Sequence, residues 1–170
     1  TYDVARATDE IGFPAVVPMF LQGTIYANDL PLKEADFLSD EMLKNDRYKQ
    51  WLNSKAYTMD QINLMMKSIG CGKFSTILRP EAMSDNYAPN EILFEALAAN
   101  STTTYSPKTP MYIFHSQQDD VVTYKNAEAL RERFETGGHE NVQIEYDFGN
   151  YGSHRSGLLK FHMNVLKMLE

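Results

Sequence analysis

The chain has 170 residues, of which 43% are hydrophobic and 12% aromatic, and this is enough apolar material for one ordinary core. Its formal charge of −7 argues against a nucleic-acid partner, because nucleic-acid binding depends on clustered Lys and Arg. Since no apolar run reaches about 18 residues and the first residues lack the basic and apolar regions of a signal peptide, we expect no transmembrane segment.

The first hundred residues have the pattern of short helices separated by Pro and Gly, without strands of their own. The predicted helices cover 14–26, 40–53, 58–69 and 90–99. Cys71, the single cysteine, can form no internal disulfide, and its position between two glycines near a predicted helix end favours an apolar packing role. This part of the chain is expected to be a helical insertion.

The third predicted helix carries an apolar face rich in methionine. Thr58 and Asp60 suit its first turn. Five residues share the apolar face at helical spacing: Met59, Ile62, Met65, Met66 and Ile69. Such a face can line a groove for an acyl chain, but packing against other helices is the interpretation that we favour.

The Ser- and Thr-rich segment 100–108 is the expected linker, and it divides a helical region, 1–108, from a second region, 109–170. In the second region, 111–115 is a predicted buried strand and 124–134 a predicted helix, with Thr123 as its N-cap and Gly137-Gly138 as its end. A second strand is predicted at 142–146, followed by a loop at 147–153.

A closing amphipathic helix follows, marked by Leu158, Phe161, Val165, Leu166 and Leu169. The order strand, helix, strand, helix favours a parallel sheet covered by helices, which is an α/β fold. Because two strands do not make a stable parallel sheet alone, we expect further strands from outside this region.

Asp119 and His154 each fall in a loop that follows a predicted strand, where the functional groups of parallel sheets collect. An acid can fix the tautomer of an imidazole and stabilise the imidazolium that forms when it removes a proton from a nucleophile. We therefore predict that the two side chains lie within hydrogen-bond reach. The alternatives are that Asp119 only closes a turn, that Asp120 is the acid, or that both aspartates, His115 and His154 bind a metal, although no compact ligand motif supports a metal site.

These residues resemble the end of an α/β-hydrolase. The segment 115–122, HSQQDDVV, followed by a helix, a strand and Gly152-Ser153-His154, is similar to the loop ending in Asp-x-Val-Val and the Gly-x-His turn of that family. The resemblance covers 109–170 and implies that Asp119 is the acid and His154 the general base of a catalytic triad. Thr123 departs from the Pro that often follows Val-Val. The helical region, with its Tyr and Met residues, resembles the lid of lipase-like members.

The nucleophile of the family is missing from this sequence. It belongs in a Gly-x-Ser-x-Gly turn between a strand and a helix, and no such motif occurs in the 170 residues. Ser153 and Ser156 flank His154 but lack the paired glycines. The resemblance therefore implies that the serine and the oxyanion hole lie upstream of Thr1.

The resulting hypothesis is a serine hydrolase of carboxylic esters, lipase- or esterase-like, in which the helical region covers a small ester or acyl substrate and no cofactor or metal is needed. The partner is expected to be the missing N-terminal half of the hydrolase or a second copy of the chain. A peptidase of the same fold, a hydrolase-like binding protein without activity, and a helical interaction domain remain as alternatives. Lipase-like relatives are often exported, so the resemblance favours a secreted or periplasmic setting.

Overall fold

The computed structural model describes residues 9, 11–101, 105–138 and 142–169. These residues form two compact units, one within 9–100 and the other within 101–169. The fold is mixed α/β, with a small parallel sheet of two strands. Part of the predicted linker, 102–104, lies outside the described residues.

The first unit consists of short helices and has no strand among its described residues. Its α-helices are α1 (Val16–Ala27), α2 (Asp40–Leu43), α3 (Arg47–Asn53), α4 (Met59–Ser68), α5 (Phe74–Ile77) and α6 (Ala88–Ala99), with 3-10 turns at Glu34–Asp36, Lys44–Asp46 and Pro80–Met83. The helix predicted over 40–53 is broken, because Asn45 and Asp46 adopt left-handed backbone angles, with φ of 57° and 50°. The 3-10 turns and α5 were not predicted.

The core of the first unit is built from the apolar faces of these helices. In α4, Thr58 and Gln61 form a capping box, with the Thr58 N–H donating to Gln61 Oε1 at 2.8 Å. Ile62 and Met66 are buried, and Met59, Met65 and Ile69 pack against the same core. The methionine face of α4 therefore packs in the helical core, as favoured from the sequence, and so does the buried Cys71.

The second unit has the predicted order strand, helix, strand, helix. Its elements are β1 (Met111–Ser116), α7 (Lys125–Arg133), a π-helical turn at Phe134–Gly138, β2 (Ile144–Gly149) and α8 (His154–Met168). The strands pair in parallel from Met111 opposite Ile144 to Ser116 opposite Gly149, which confirms the predicted parallel pairing. Tyr124, rather than the predicted Thr123, occupies the N-cap position of α7.

The two helices of this unit cover opposite faces of the sheet. His115 and Phe148 lie opposite each other on one face, where both contact Tyr124 at the start of α7. Phe114 lies on the other face and contacts Phe161 of α8. Both strands consist mainly of half-buried residues, whereas parallel sheets are normally buried on both faces.

No helix in the described ranges combines the length and the apolar character needed to cross a lipid bilayer.

Candidate functional site

The carboxyl ends of β1 and β2 bring the two predicted site residues together. Asp119 follows the end of β1 at Ser116, and His154 is the first residue of α8, shortly after β2 has ended at Gly149. The His154 Nδ1 atom lies 2.8 Å from Asp119 Oδ2. The predicted contact between the acid and the imidazole is therefore confirmed, while the catalytic role of the pair stays a prediction.

The side chain of Asp119 is held in place by the backbone of the residues that follow it. Its Oδ1 atom accepts hydrogen bonds from the N–H groups of Val121 at 2.9 Å and Val122 at 2.8 Å. This is a side-chain turn of the kind that Asp favours in loops. One carboxylate oxygen of Asp119 thus closes the turn while the other contacts the imidazole, so the turn interpretation and the predicted contact with His154 are compatible.

The carboxyl of Asp119 is held in its charged form. Its side chain is only 9% exposed, and this burial alone would raise its pKa, but the hydrogen bonds from Val122, His154 and Val121 together outweigh the burial and lower the pKa. An ionised carboxylate can only accept hydrogen bonds. The Nδ1 atom of His154 must therefore carry a proton, and in the neutral form of the ring Nε2 then has a free lone pair.

The side chain of His154 is 48% exposed. It borders an apolar depression of about 280 Å³ between β1 and α8. The depression is lined by residues of β1, of the acid loop (117–122, the loop that follows β1 and contains Asp119) and of α8: Phe114, His115, Ser116, Asp119, Val122, His154, Gly157, Leu158 and Phe161. The imidazole is thus accessible at the edge of an apolar surface.

Asp120, the alternative acid, has a different partner. Its Oδ1 atom accepts a hydrogen bond from the backbone N–H of His154 at 3.1 Å. That N–H belongs to the first turn of α8 and has no partner within the helix. Asp120 therefore caps the helix that carries the histidine, while Asp119 contacts the ring.

The remaining histidines in the described ranges lie apart from this contact. His115 donates from Nδ1 to its neighbouring Ser116 carbonyl at 2.9 Å, and the His162 ring lies beside Phe161. Within the described part of the chain, no group of three or more His, Cys, Asp or Glu side chains is arranged to hold a metal ion.

A second polar cluster was not predicted from the sequence. Asp147, expected in a loop, lies within β2 and accepts hydrogen bonds from the hydroxyls of Tyr112 and Tyr151 and from Asn164 Nδ2, the last at 2.7 Å. Burial, followed by the bond to Asp147, raises the pKa of Tyr112 to about 12. Burial opposes the charge on Asp147, yet these hydrogen bonds lower its pKa overall. The signal in the sequence was the aromatic and polar content of β1, of β2 and of the loop that follows β2.

Comparison of the chain with models of protein families, with curated proteins and with solved structures found no match in any of the three.

Proposed function

We propose that residues 109–170 carry the acid and the base of a serine hydrolase of carboxylic esters, built on an α/β-hydrolase fold. The observation that carries the proposal is the contact between Asp119 Oδ2 and His154 Nδ1 at 2.8 Å, made by two loops at the carboxyl ends of adjacent parallel strands. Loops at this edge are where parallel sheets hold their functional groups.

In this proposal, His154 is the general base and Asp119 its orienting acid. With the proton held on Nδ1, the free Nε2 removes the proton of a serine hydroxyl while the oxygen attacks the ester carbonyl. The charged Asp119 stabilises the imidazolium, which then returns the proton to the leaving alcohol. The apolar depression beside the ring suits the acyl part of an ester better than a charged substrate.

The serine itself has to come from sequence beyond these 170 residues, because they contain no Gly-x-Ser-x-Gly turn. Ser116 is an unsuitable nucleophile, since it is 2% exposed and its hydroxyl donates to the Gly152 carbonyl. The thiol of Cys71 is buried, and this burial raises its pKa, which disfavours the reactive thiolate. The role of residues 1–108 as a lid over the substrate stays a prediction.

The test uses a fluorophosphonate probe, which labels activated serines, together with a p-nitrophenyl ester assay. We expect the 170-residue chain to be unlabelled and inactive. A longer polypeptide that includes the upstream coding sequence should be labelled, and His154→Ala in it should reduce labelling and turnover by orders of magnitude.

His162→Ala is the matched control, because His162 is an exposed histidine on the same helix. It should leave labelling unchanged. Labelling of the short chain would show that the nucleophile has been misplaced. An upstream sequence without the Gly-x-Ser-x-Gly turn, or a longer polypeptide that binds esters without cleaving them, would favour the binding protein instead.

A further inference from the structure

Ser116, the last residue of β1, holds a buried hydroxyl between the two loops of the site. It is 2% exposed, although Ser is a polar residue that usually lies at the surface. Its Oγ atom donates to the Gly152 carbonyl at 2.6 Å and accepts from the N–H groups of Tyr151 and Gln118, both at 3.2 Å. A hydroxyl offers one donor and two acceptor positions, so all three are used.

The partners of this hydroxyl belong to both loops. Gln118 directly precedes Asp119 in the acid loop. Tyr151 and Gly152 belong to the histidine loop, the segment 150–153 between β2 and His154. The two loops are far apart in sequence, and one side chain fixed at the end of a strand contacts both of them. We propose that Ser116 is a positioning residue, whose hydroxyl sets the distance between Asp119 and His154.

Two neighbouring hydrogen bonds also connect the segment that follows β1 to the end of β2 and the segment that follows it. The Gln118 Oε1 atom accepts from the Gly152 N–H at 3.1 Å, and the Gln117 N–H donates to the Gly149 carbonyl at 2.8 Å. The contact of 2.8 Å between acid and imidazole is lost when either loop moves by about 1 Å, because hydrogen bonds fail near about 3.6 Å. The position of the two loops therefore decides whether Nδ1 of His154 keeps its proton.

The positioning role depends on the hydroxyl of Ser116 rather than on the volume of its side chain. Ser116 packs closely against Gly157 of α8, where an added Cβ would lie 3.4 Å from Ser116 Cβ. Alanine would fit this space. It would, however, leave the Gly152 carbonyl and the Gln118 N–H without the hydroxyl that they contact, and the Tyr151 N–H with only the Gly149 carbonyl at 3.1 Å.

The importance of this position for turnover rests on the proposed function, but its geometric effect can be measured without a substrate. The probe is the imidazole nitrogen spectrum of the ¹⁵N-labelled 170-residue chain, recorded by long-range ¹H–¹⁵N correlation where His154 is neutral. The wild type should carry its proton on Nδ1. In Ser116→Ala, the Nε2-protonated tautomer should become the major form, as in an imidazole that lacks an acceptor at Nδ1.

Two further variants separate the hydroxyl from packing. Ser116→Cys keeps nearly the same shape with a much weaker donor and acceptor, so it should shift the tautomer in the same direction as Ser116→Ala. Ser153→Ala removes a hydroxyl next to His154 that pairs with Ser156 Oγ at 3.2 Å, and it should leave the wild-type tautomer.

A wild-type tautomer in Ser116→Ala or Ser116→Cys would overturn the proposal. A loss of amide dispersion throughout the second unit in both variants would overturn it as well, because Ser116 would then be needed for folding rather than for placing the loops. If Ser116→Ala shifts the tautomer but the longer polypeptide has no esterase activity, the positioning role is supported and the proposed hydrolase function is rejected. An active hydrolase with an unchanged tautomer would reject the positioning role alone.

Discussion

Asp119 uses its two carboxylate oxygens for different contacts. Oδ1 accepts hydrogen bonds from two backbone N–H groups, those of Val121 and Val122, and Oδ2 accepts one from the Nδ1–H of His154. All three contacts favour the charged carboxylate and together lower its pKa against the effect of burial. The orientation of the Asp119 carboxylate therefore depends on the loop backbone as much as on the histidine. For this reason Asp119, rather than Asp120, faces the ring.

The lowered pKa of Asp119 predicts how stability changes with pH. A carboxyl whose pKa is lower in the folded state contributes stability that is fully present above its unfolded value of about 3.9, and this contribution is lost as the pH falls through the folded value. Asp119→Asn should lower the free energy of unfolding at neutral pH by about 1–3 kcal/mol, because the charged hydrogen bonds are lost. The difference in unfolding free energy between Asp119→Asn and the wild type should become smaller as the pH falls.

Urea unfolding of both proteins at a series of pH values between neutral and about 3 provides the measurement. Toward the acid end the carboxyl of the unfolded wild type takes up its proton more readily than that of the folded protein, so the difference between the two proteins should narrow there. A deficit that stays constant over the whole series would mean that the charge of Asp119 does not stabilise the fold.

At the level of elements, α8 begins at the histidine itself. The helix starts at His154, and the Asp120 carboxylate accepts its first N–H from another loop. This contact gives an otherwise unpaired N–H an acceptor and places a negative charge near the helix N-terminus. The acid loop therefore holds both the side chain and the backbone of His154.

Removing this cap should loosen the start of α8. Asp120→Ala is expected to lower the free energy of unfolding by about 1 kcal/mol and to speed amide exchange in the first turn. Asp120→Asn keeps an oxygen that can accept the His154 N–H, so it should lie close to the wild type. If Asp120→Ala and Asp120→Asn have the same free energy of unfolding and the same amide exchange in the first turn of α8, the capping role of Asp120 is contradicted.

For the second unit, the order and type of the helices and strands were predicted better than the residues at which they end and the residues that they bury. The strand predicted at 142–146 extends to Gly149, because Tyr112, Tyr151 and Asn164 provide hydrogen bonds that let Asp147 lie within a strand. Propensity alone assigns such an aspartate to a loop. The inward contacts of α8 are made by Gly157, Phe161 and Asn164 rather than by most of its leucines.

At the scale of the site, the contact between Asp119 and His154 followed from topology, because parallel neighbouring strands end at the same edge. The role of Ser116 did not follow, since a serine at a strand end has no periodic signal, and its importance depends on loops that meet only in the fold. The half-buried strands are consistent with the expectation that two strands are too few for a complete sheet.

The two units differ in how well their apolar residues are covered. The first unit has a continuous buried core, whereas in the second unit buried apolar side chains are few among the described residues, and α8 exposes several large apolar side chains. Leu159, Leu166 and Leu169 are 66%, 63% and 79% exposed, and Leu158 and Met163 lie beside them. Groups of exposed large apolar side chains favour interaction sites or self-association.

We therefore expect the 170-residue chain to associate with a second copy through these exposed side chains of α8, burying on the order of 1,000 Å² in total. Light scattering over a range of concentrations should show a mass that rises from one copy toward two. Leu159→Lys with Leu166→Lys should keep the chain monomeric, because both side chains are largely exposed and two copies would then bring like charges together. Ile92→Lys, a change at an exposed apolar residue of the first unit, is the control and should leave association unchanged. A wild-type chain that stays monomeric at every concentration would contradict this prediction, and would mean that the exposed apolar side chains of α8 do not bind a second copy.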